Sequence, residues 1–274
     1  MLLAVLREEI ADRKHIIRFS KERMDRLIPK FRFGHIDPAA VEARRARRGP
    51  GYEFYQIVPT NIMLVTAVLG IKDFTKDAVE AAIPNYWNCV EALAEEKVDV
   101  FVLGGTPVSA QLGRPRVVKL LREAEDKTGI RGDAPLEAAI AAMQYLGVKK
   151  LAVGGRWTDE FNQAVVQYLE AGGIEVVAIT KRNQWGREAF AMSFEEGLKL
   201  ALEVGREAAR VAPEAEAIFV PGGATMSLHV IPVIEEEFGK PTFTRTSAEV
   251  WRNLVFPGII PPISGWGKLL ASGS

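Results

Sequence analysis

The chain has 274 residues, 48% of them hydrophobic, with 35 basic against 35 acidic side chains and a formal net charge of zero. That supplies a core for one large domain or for two of about 100–150 residues. The balanced charge excludes a nucleic acid or a membrane surface drawn in by the field of the whole protein, and the single cysteine, Cys89, excludes an internal disulfide and points to a reducing, cytoplasmic setting.

Residues 2–28 read as one amphipathic helix, because Leu3, Leu6, Ile10, Ile17, Met24 and Leu27 recur at helical spacing between charges. It is too charged for a membrane span and lacks the basic leader of a signal peptide. As an N-terminal extension (1–30) it is suited to pack on the domain or on a second subunit of a homo-oligomer. The run "ARRARRGPG" gathers Arg44, Arg45, Arg47 and Arg48 without interleaved aromatics, which reads as a solvated helix end or loop.

Short apolar runs then alternate with helical patterns. "RFGHI" (32–36) and "YEFYQIV" (52–58) are expected strands, and 75–96 a helix interrupted at Pro84. "VDVFVLGG" (98–105) suits a parallel strand buried on both faces. Helices are expected at 114–128 and 135–146, a strand at 149–155, a helix at 158–172 and a strand at 173–180. A long helix at 194–211, a strand at 216–223, a helix at 227–238, a strand at 241–244 and a helix at 246–254 complete the pattern, before an irregular Gly- and Pro-rich tail. Strands alternating with helices of this length make βαβ units and parallel sheets, hence an α/β fold. The chain is expected to cross to a second half near residue 132 and to return near 242. The halves are then 31–132 with 243–274, and 133–242.

Two strand ends are nearly the same: "FVLGGTPVS" (101–109) and "FVPGGATMS" (219–227). A third strand ends at Gly154-Gly155. Glycine after a buried strand permits positive φ and a close approach of ligand to backbone, and ligands of parallel sheets bind at these carboxyl ends. The backbone about Gly105, Thr106, Pro107, Gly222, Gly223 and Ala224, with the hydroxyls of Thr106 and Thr225, forms a candidate grip for an acid, and two matching loops imply one pseudo-symmetric cleft. A tight turn without a ligand is the plain alternative. None of the loops has the G-x-G-x-x-G pattern, and no Walker pattern occurs, so no nucleotide cofactor is expected.

From Val98 to Trp251, in order and spacing, the chain resembles the aspartate/glutamate racemase superfamily, in the branch holding maleate cis-trans isomerases and arylmalonate decarboxylase. The resemblance covers about residues 31–255. It implies two similar α/β halves with the site in the cleft and no metal or organic cofactor. It also implies proton transfer or covalent addition by cysteine at a carbon beside a carboxylate. The first family cysteine falls on Gly105, followed by a carboxylate-binding Thr106. The second falls on Gly222 by the downstream alignment, or on Gly223 by the internal repeat. Trp157 stands where the family often has a tyrosine that donates to the substrate, and Asn162 matches a family asparagine. The family's P-S-S-N run is replaced by "DPAAV" (37–41).

Glycine has no side chain to act as a nucleophile, acid or base. What remains is a frame for stabilising an enediolate. His35 and Asp37, flanking the end of the first strand, are the candidate replacement acid/base pair. Arg156 is a candidate for bidentate carboxylate binding, and Trp157 for an apolar wall. Cys89 reads as a buried helical thiol, and His229 as a helix-surface residue. The three histidines make no metal motif. The expected function is a cofactor-independent enzyme that isomerises, racemises or decarboxylates a small carboxylate or dicarboxylate. A non-catalytic binder of a small acid, or a lyase or hydrolase of altered chemistry, is the alternative.

Overall fold

The computed structural model describes residues 28–39, 51–222 and 226–273. The expected N-terminal helix (but for its last residue) and the arginines at 44–48 lie outside the described residues, as do Gly223, Ala224 and Thr225. Two parallel four-stranded sheets carry the fold. The first holds β1 (Phe31–Ala39), β2 (Ile62–Ile71), β3 (Val100–Leu103) and β4 (Arg131–Asp133) in the order β2-β1-β3-β4. The second holds β5 (Lys150–Val153), β6 (Glu175–Ile179), β7 (Ala217–Val220) and β8 (Thr242–Thr244) in the order β6-β5-β7-β8. The same order in both sheets is the structural counterpart of the duplicated loops. β3 and β7 are apolar and buried throughout, as inner strands covered on both faces must be.

The helices are α1 (Gly51–Ile57), α2 (Lys76–Ala81), α3 (Ile83–Glu95), α4 (Thr106–Leu112), α5 (Arg114–Thr128), α6 (Pro135–Leu146), α7 (Asp159–Glu170), α8 (Gly186–Ala191), α9 (Phe194–Val211), α10 (Val230–Phe238) and α11 (Arg245–Val250). The last runs on into a π-helical turn, Trp251–Val255. One hydrophobic core runs from Phe33 and Phe101 through Phe219 and Phe243 to Trp251, so the two sheets share it. α4 packs on α7, and α6 on α11. The irregular tail is anchored: Leu269 and Leu270 are buried, and the Ser272 carbonyl accepts the Trp251 indole N–H at 3.1 Å.

Several elements differ from the sequence expectation. "YEFYQIV" is α1, not a strand. Its aromatic composition favours β structure, but Glu53, Phe54 and Ile57 share one buried helix face, with Phe54 against Phe33 at 5.2 Å between ring centroids. Tertiary burial has overridden a weak propensity. β2 is a ten-residue edge strand with a half-exposed, non-alternating pattern, which gives no period-2 signal. β4, α4 and α8 are too short for periodicity to mark them. Pro84 sits in the first turn of α3, where its missing N–H costs nothing, so the expected break falls just before it.

Candidate active site

In each sheet the chain leaves the two inner strands in opposite directions. The crevice lies beyond their carboxyl ends. In the first half this is the gap between β1 and β3, where the Gly104 N–H donates to the Ile36 carbonyl at 2.9 Å. In the second it lies between β5 and β7, where the Gly154 N–H donates to the Phe219 carbonyl at 2.8 Å. His35 and Asp37 lie on one face of β1, at its middle and in its last turn of pleat, both buried. The His35 imidazole lies so close to the first loop that a β-carbon on Gly104 would stand 2.6 Å from Nε2. Gly105 caps α4 at φ 93°, ψ 107°, and a β-carbon there would meet Pro38 Cγ at 2.8 Å. The carbonyl of Gly105 takes the N–H groups of both Val108 and Ser109. Pro107 has no N–H to give, so its expected contribution to a backbone anion grip is corrected to its ring alone. The donors this turn can offer are the N–H groups of Gly105 and Thr106.

Beside this loop the structure assembles a buried charged cluster from three elements. β1 brings His35 and Asp37, α1 brings Glu53, and α11 brings Arg245, Thr246 and Glu249. Arg245 Nη1 donates to both oxygens of Glu249, at 2.8 and 3.1 Å. Glu53 Oε1 accepts the backbone N–H groups of Ser227 at 2.8 Å and Leu228 at 2.6 Å, while Oε2 accepts the Thr246 hydroxyl at 3.4 Å. His35, Phe54, Arg245, Thr246 and Glu249 line one small cavity with room for about one water molecule. Burial pushes the Glu53 carboxyl above its usual range, with the Leu228 N–H and Arg245 opposing. Burial lifts Glu249 to about 7 against the pull of Arg245. The guanidinium is itself penalised by burial, but Glu249, Glu53 and Asp37 hold it charged. Burial thus works against the charged form of both Glu53 and Glu249, and the Arg245 guanidinium between them works for it.

The second crevice is drier in chemistry. Trp157 is buried and packs on Phe161 at 4.9 Å between centroids. Arg156 Nη1 donates to Gln184 Oε1 at 3.4 Å. The Asn162 amide donates to the Thr180 carbonyl at 3.1 Å, fastening α7 to the end of β6. Arg156, Trp157, Val204, Pro221 and Gly222 line a second cavity of similar size.

The family model for arylmalonate decarboxylase matches residues 52–270. The chain belongs to the arylmalonate decarboxylase family. Arylmalonate decarboxylase of Bordetella bronchiseptica is 23% identical over 218 residues, covering 79% of this chain and 85% of that protein. Among solved structures, a liganded arylmalonate decarboxylase mutant, with one glycine changed to cysteine and one cysteine to serine, matches with a TM-score of 0.73 at 21% identity. The match covers 87% of this chain and 98% of that one. A cysteine-to-serine mutant of maleate cis-trans isomerase from Nocardia farcinica, with a covalently bound succinylcysteine intermediate, matches with a TM-score of 0.71 at 18% identity. Here 89% of this chain and 99% of that one are covered. At such identities the structural likeness shows the fold: two parallel-sheet α/β halves. Family membership places the chain among enzymes.

Of the residues singled out in the sequence, His35, Asp37, Gly105, Thr106 and Pro107 meet at the first crevice, and Arg156, Trp157, Asn162 and Gly222 at the second. Gly223, Ala224 and Thr225 lie outside the described residues. Cys89 is buried on α3, its thiol donating to the Val68 carbonyl at 3.4 Å, and burial pushes its pKa up. His229 is exposed at the start of α10, its ring against Trp266. Sequence reasoning missed Glu53, Arg245 and Glu249. The signal for Glu53 was a charge on the buried face of "YEFYQI", hidden once that stretch was taken for a strand. The signal for the other two was an Arg–Glu pair four apart, flanked by small and apolar residues. Among the described residues no helix is long and apolar enough to cross a membrane, and no group of three or more His, Cys, Asp or Glu could hold a metal.

Proposed function

We propose that this protein is a cofactor-independent enzyme that acts at the carbon beside a carboxylate of a small mono- or dicarboxylic acid. It would work by decarboxylation, isomerisation or racemisation through an enediolate-like intermediate. The observation that carries this reading is the buried charged cluster of His35, Asp37, Arg245 and Glu249, whose His35 imidazole lies against Gly104 of the first loop. In this reading the N–H groups of Gly105 and Thr106, with the Thr106 hydroxyl, hold the substrate carboxylate and stabilise the negative charge that develops on it. His35 stands nearest the loop and carries the proton to or from the reacting carbon. Asp37, on the same strand face, and Glu249, across the small cavity, resupply the proton. A thiol has no part in the step, because the only cysteine, Cys89, is held on α3 by Val68.

The second reading is a non-catalytic binder of a small acid. It is favoured by glycine at both loop positions where the family resemblance puts cysteine. Solvent-deuterium incorporation at the α-carbon, with CO2 release from 2-substituted malonates, separates the two. The enzyme reading expects exchange or release with at least one acid of a panel, lost in His35→Gln. Binding without either sinks it.

A further inference from the structure

Asp133 is a fully buried carboxylate outside the His35 cavity. It lies in one row with His35: His35 pairs with Val102 across β1 and β3, and Val102 pairs with Asp133 across β3 and β4. Paired residues of a parallel sheet face the same way, so His35 and Asp133 stand on one face, two strands or about 10 Å apart. α11 and its π-helical turn reach both ends of this row. At one end Arg245 and Glu249 line the His35 cavity. At the other, Arg252 Nη1 donates to Asp133 Oδ1 at 2.6 Å and the Asn253 amide donates to Oδ2 at 2.7 Å. The same amide nitrogen donates to the Glu249 carbonyl at 2.9 Å, and Asn253 Oδ1 accepts from Arg131 at 2.6 Å. This forces the orientation of the amide, whose nitrogen must face two oxygens. The turn it holds is irregular, since the Phe256 N–H reaches back five residues to the Trp251 carbonyl at 2.7 Å. Such π turns are rare and gather at functional sites.

We infer that Asp133 is a positioning residue for the proton chemistry of the cluster: through Asn253 and Arg252 it clamps the turn that carries Glu249, and it sets a fixed negative charge beside that turn. Its surroundings suit the charge. Oδ1 also accepts the Ala134 N–H at 2.7 Å, so three N–H donors, one of them a guanidinium, bond its two oxygens. Burial pushes the Asp133 carboxyl up, and Arg252, Asn253, the Ala134 N–H and Arg131 oppose it. Burial is also the largest cause of the raised Glu249 pKa; Arg245 works against it and Asp133 with it. The other titratable groups of the cluster are Glu53 on α1 and His35 and Asp37 on β1. Glu137 on α6, the helix packed on α11, is taken up by Arg114 at 2.7 Å. Removing the Asp133 charge should therefore let Glu249 give up its proton at lower pH. The inference rests on the reading of Glu249 as a group that resupplies the proton to His35.

The experiment follows Glu249 by NMR in protein with carbon-13 in its glutamate carboxyls, the resonance being the one missing from Glu249→Gln. In the wild type it is expected to titrate at about 7. Asp133→Asn is expected to lower that midpoint by about one pH unit. Asn253→Ala keeps the Asp133 carboxylate but takes a donor from it, and should lower the midpoint by less. If either variant needs sucrose to stay folded, all proteins are measured in it. An unmoved or raised midpoint in Asp133→Asn overturns the inference. Where that variant does not fold, an unmoved midpoint in Asn253→Ala overturns it. This readout needs no substrate. With an acid that is turned over, the alkaline limb of the pH–rate profile, where Glu249 loses its proton, should move to lower pH in the same order. A midpoint that moves while the limb stays overturns the positioning role. If no acid is turned over, the proposed function fails, and the midpoint alone then decides for or against the Asp133 clamp.

Discussion

A side chain at Gly105 should be costly, and the cost can be divided. The residue sits at φ 93°, ψ 107°, outside the left-handed helical basin as well as the ordinary regions. For a residue with a β-carbon this backbone strain is about 1–3 kcal/mol. The same β-carbon would lie 2.8 Å from Pro38 Cγ and 3.3 Å from Val108 Cγ2, an overpacking of about 1–3 kcal/mol more. Gly105→Ala is therefore expected to lose about 4 kcal/mol. Gly129 is the control: it has φ 71°, ψ 4° and nothing within 4 Å of an added β-carbon, so Gly129→Ala should lose only about 1–2 kcal/mol. Urea unfolding of both variants, compared at constant m, reads the difference. Adding Pro38→Ala to Gly105→Ala should recover the steric share, about 1–3 kcal/mol, as a coupling energy. The reasoning is refuted if Gly105→Ala costs no more than Gly129→Ala, or if Pro38→Ala recovers nothing. The chemical consequence is direct. Cysteine carries the same β-carbon, so a thiol cannot be restored at this position without moving Pro38.

Three further outcomes follow from the site. Glu249 has a folded pKa of about 7 against an ordinary glutamate value of 4.5. The folded state therefore holds the proton more tightly, and stability falls as pH rises between these values, by roughly 3 kcal/mol for this group. In urea titrations across that window the stability advantage of wild type over Glu249→Gln should shrink by about that amount, and an advantage that grows would contradict the assignment. His35→Gln should lower turnover by about 10²–10⁴-fold with its urea midpoint little changed, since the imidazole is placed as proton carrier. Turnover within a few-fold of wild type would remove His35 from the mechanism. Cys89→Ala should keep wild-type turnover, and iodoacetamide should leave the native protein active, because the thiol is buried and its pKa raised. Inactivation by alkylation of folded protein would return a cysteine to the chemistry.

The alternation of apolar runs and helices made the parallel-sheet α/β architecture legible, and the repeated F-V-x-G-G frame pointed to two matching crevices. Those signals are strong because inner strands such as "VFVL" and "AIFV" are apolar on both faces. The charged cluster was legible only in part. His35 and Asp37 could be found because they sit beside a strand end whose role was already plain. Glu53, Arg245 and Glu249 reach the same place from a short helix read as a strand and from the helix after the last strand. Their meeting depends on long-range packing that no local period encodes. The turn after the second loop is tied to Glu53, 174 positions away, a contact that no local pattern in the sequence marks.

The central claim is proton chemistry at the carbon beside a carboxylate, without a thiol or a cofactor. Chelator-treated protein, incubated in D2O with a panel of small carboxylic acids and 2-substituted malonates, tests it by NMR. The account predicts deuterium at the α-carbon, or CO2 release with deuterium in its place, for at least one acid, persisting in Cys89→Ala and lost in His35→Gln. No exchange and no release across the panel, from protein that nonetheless binds the acids, would contradict it.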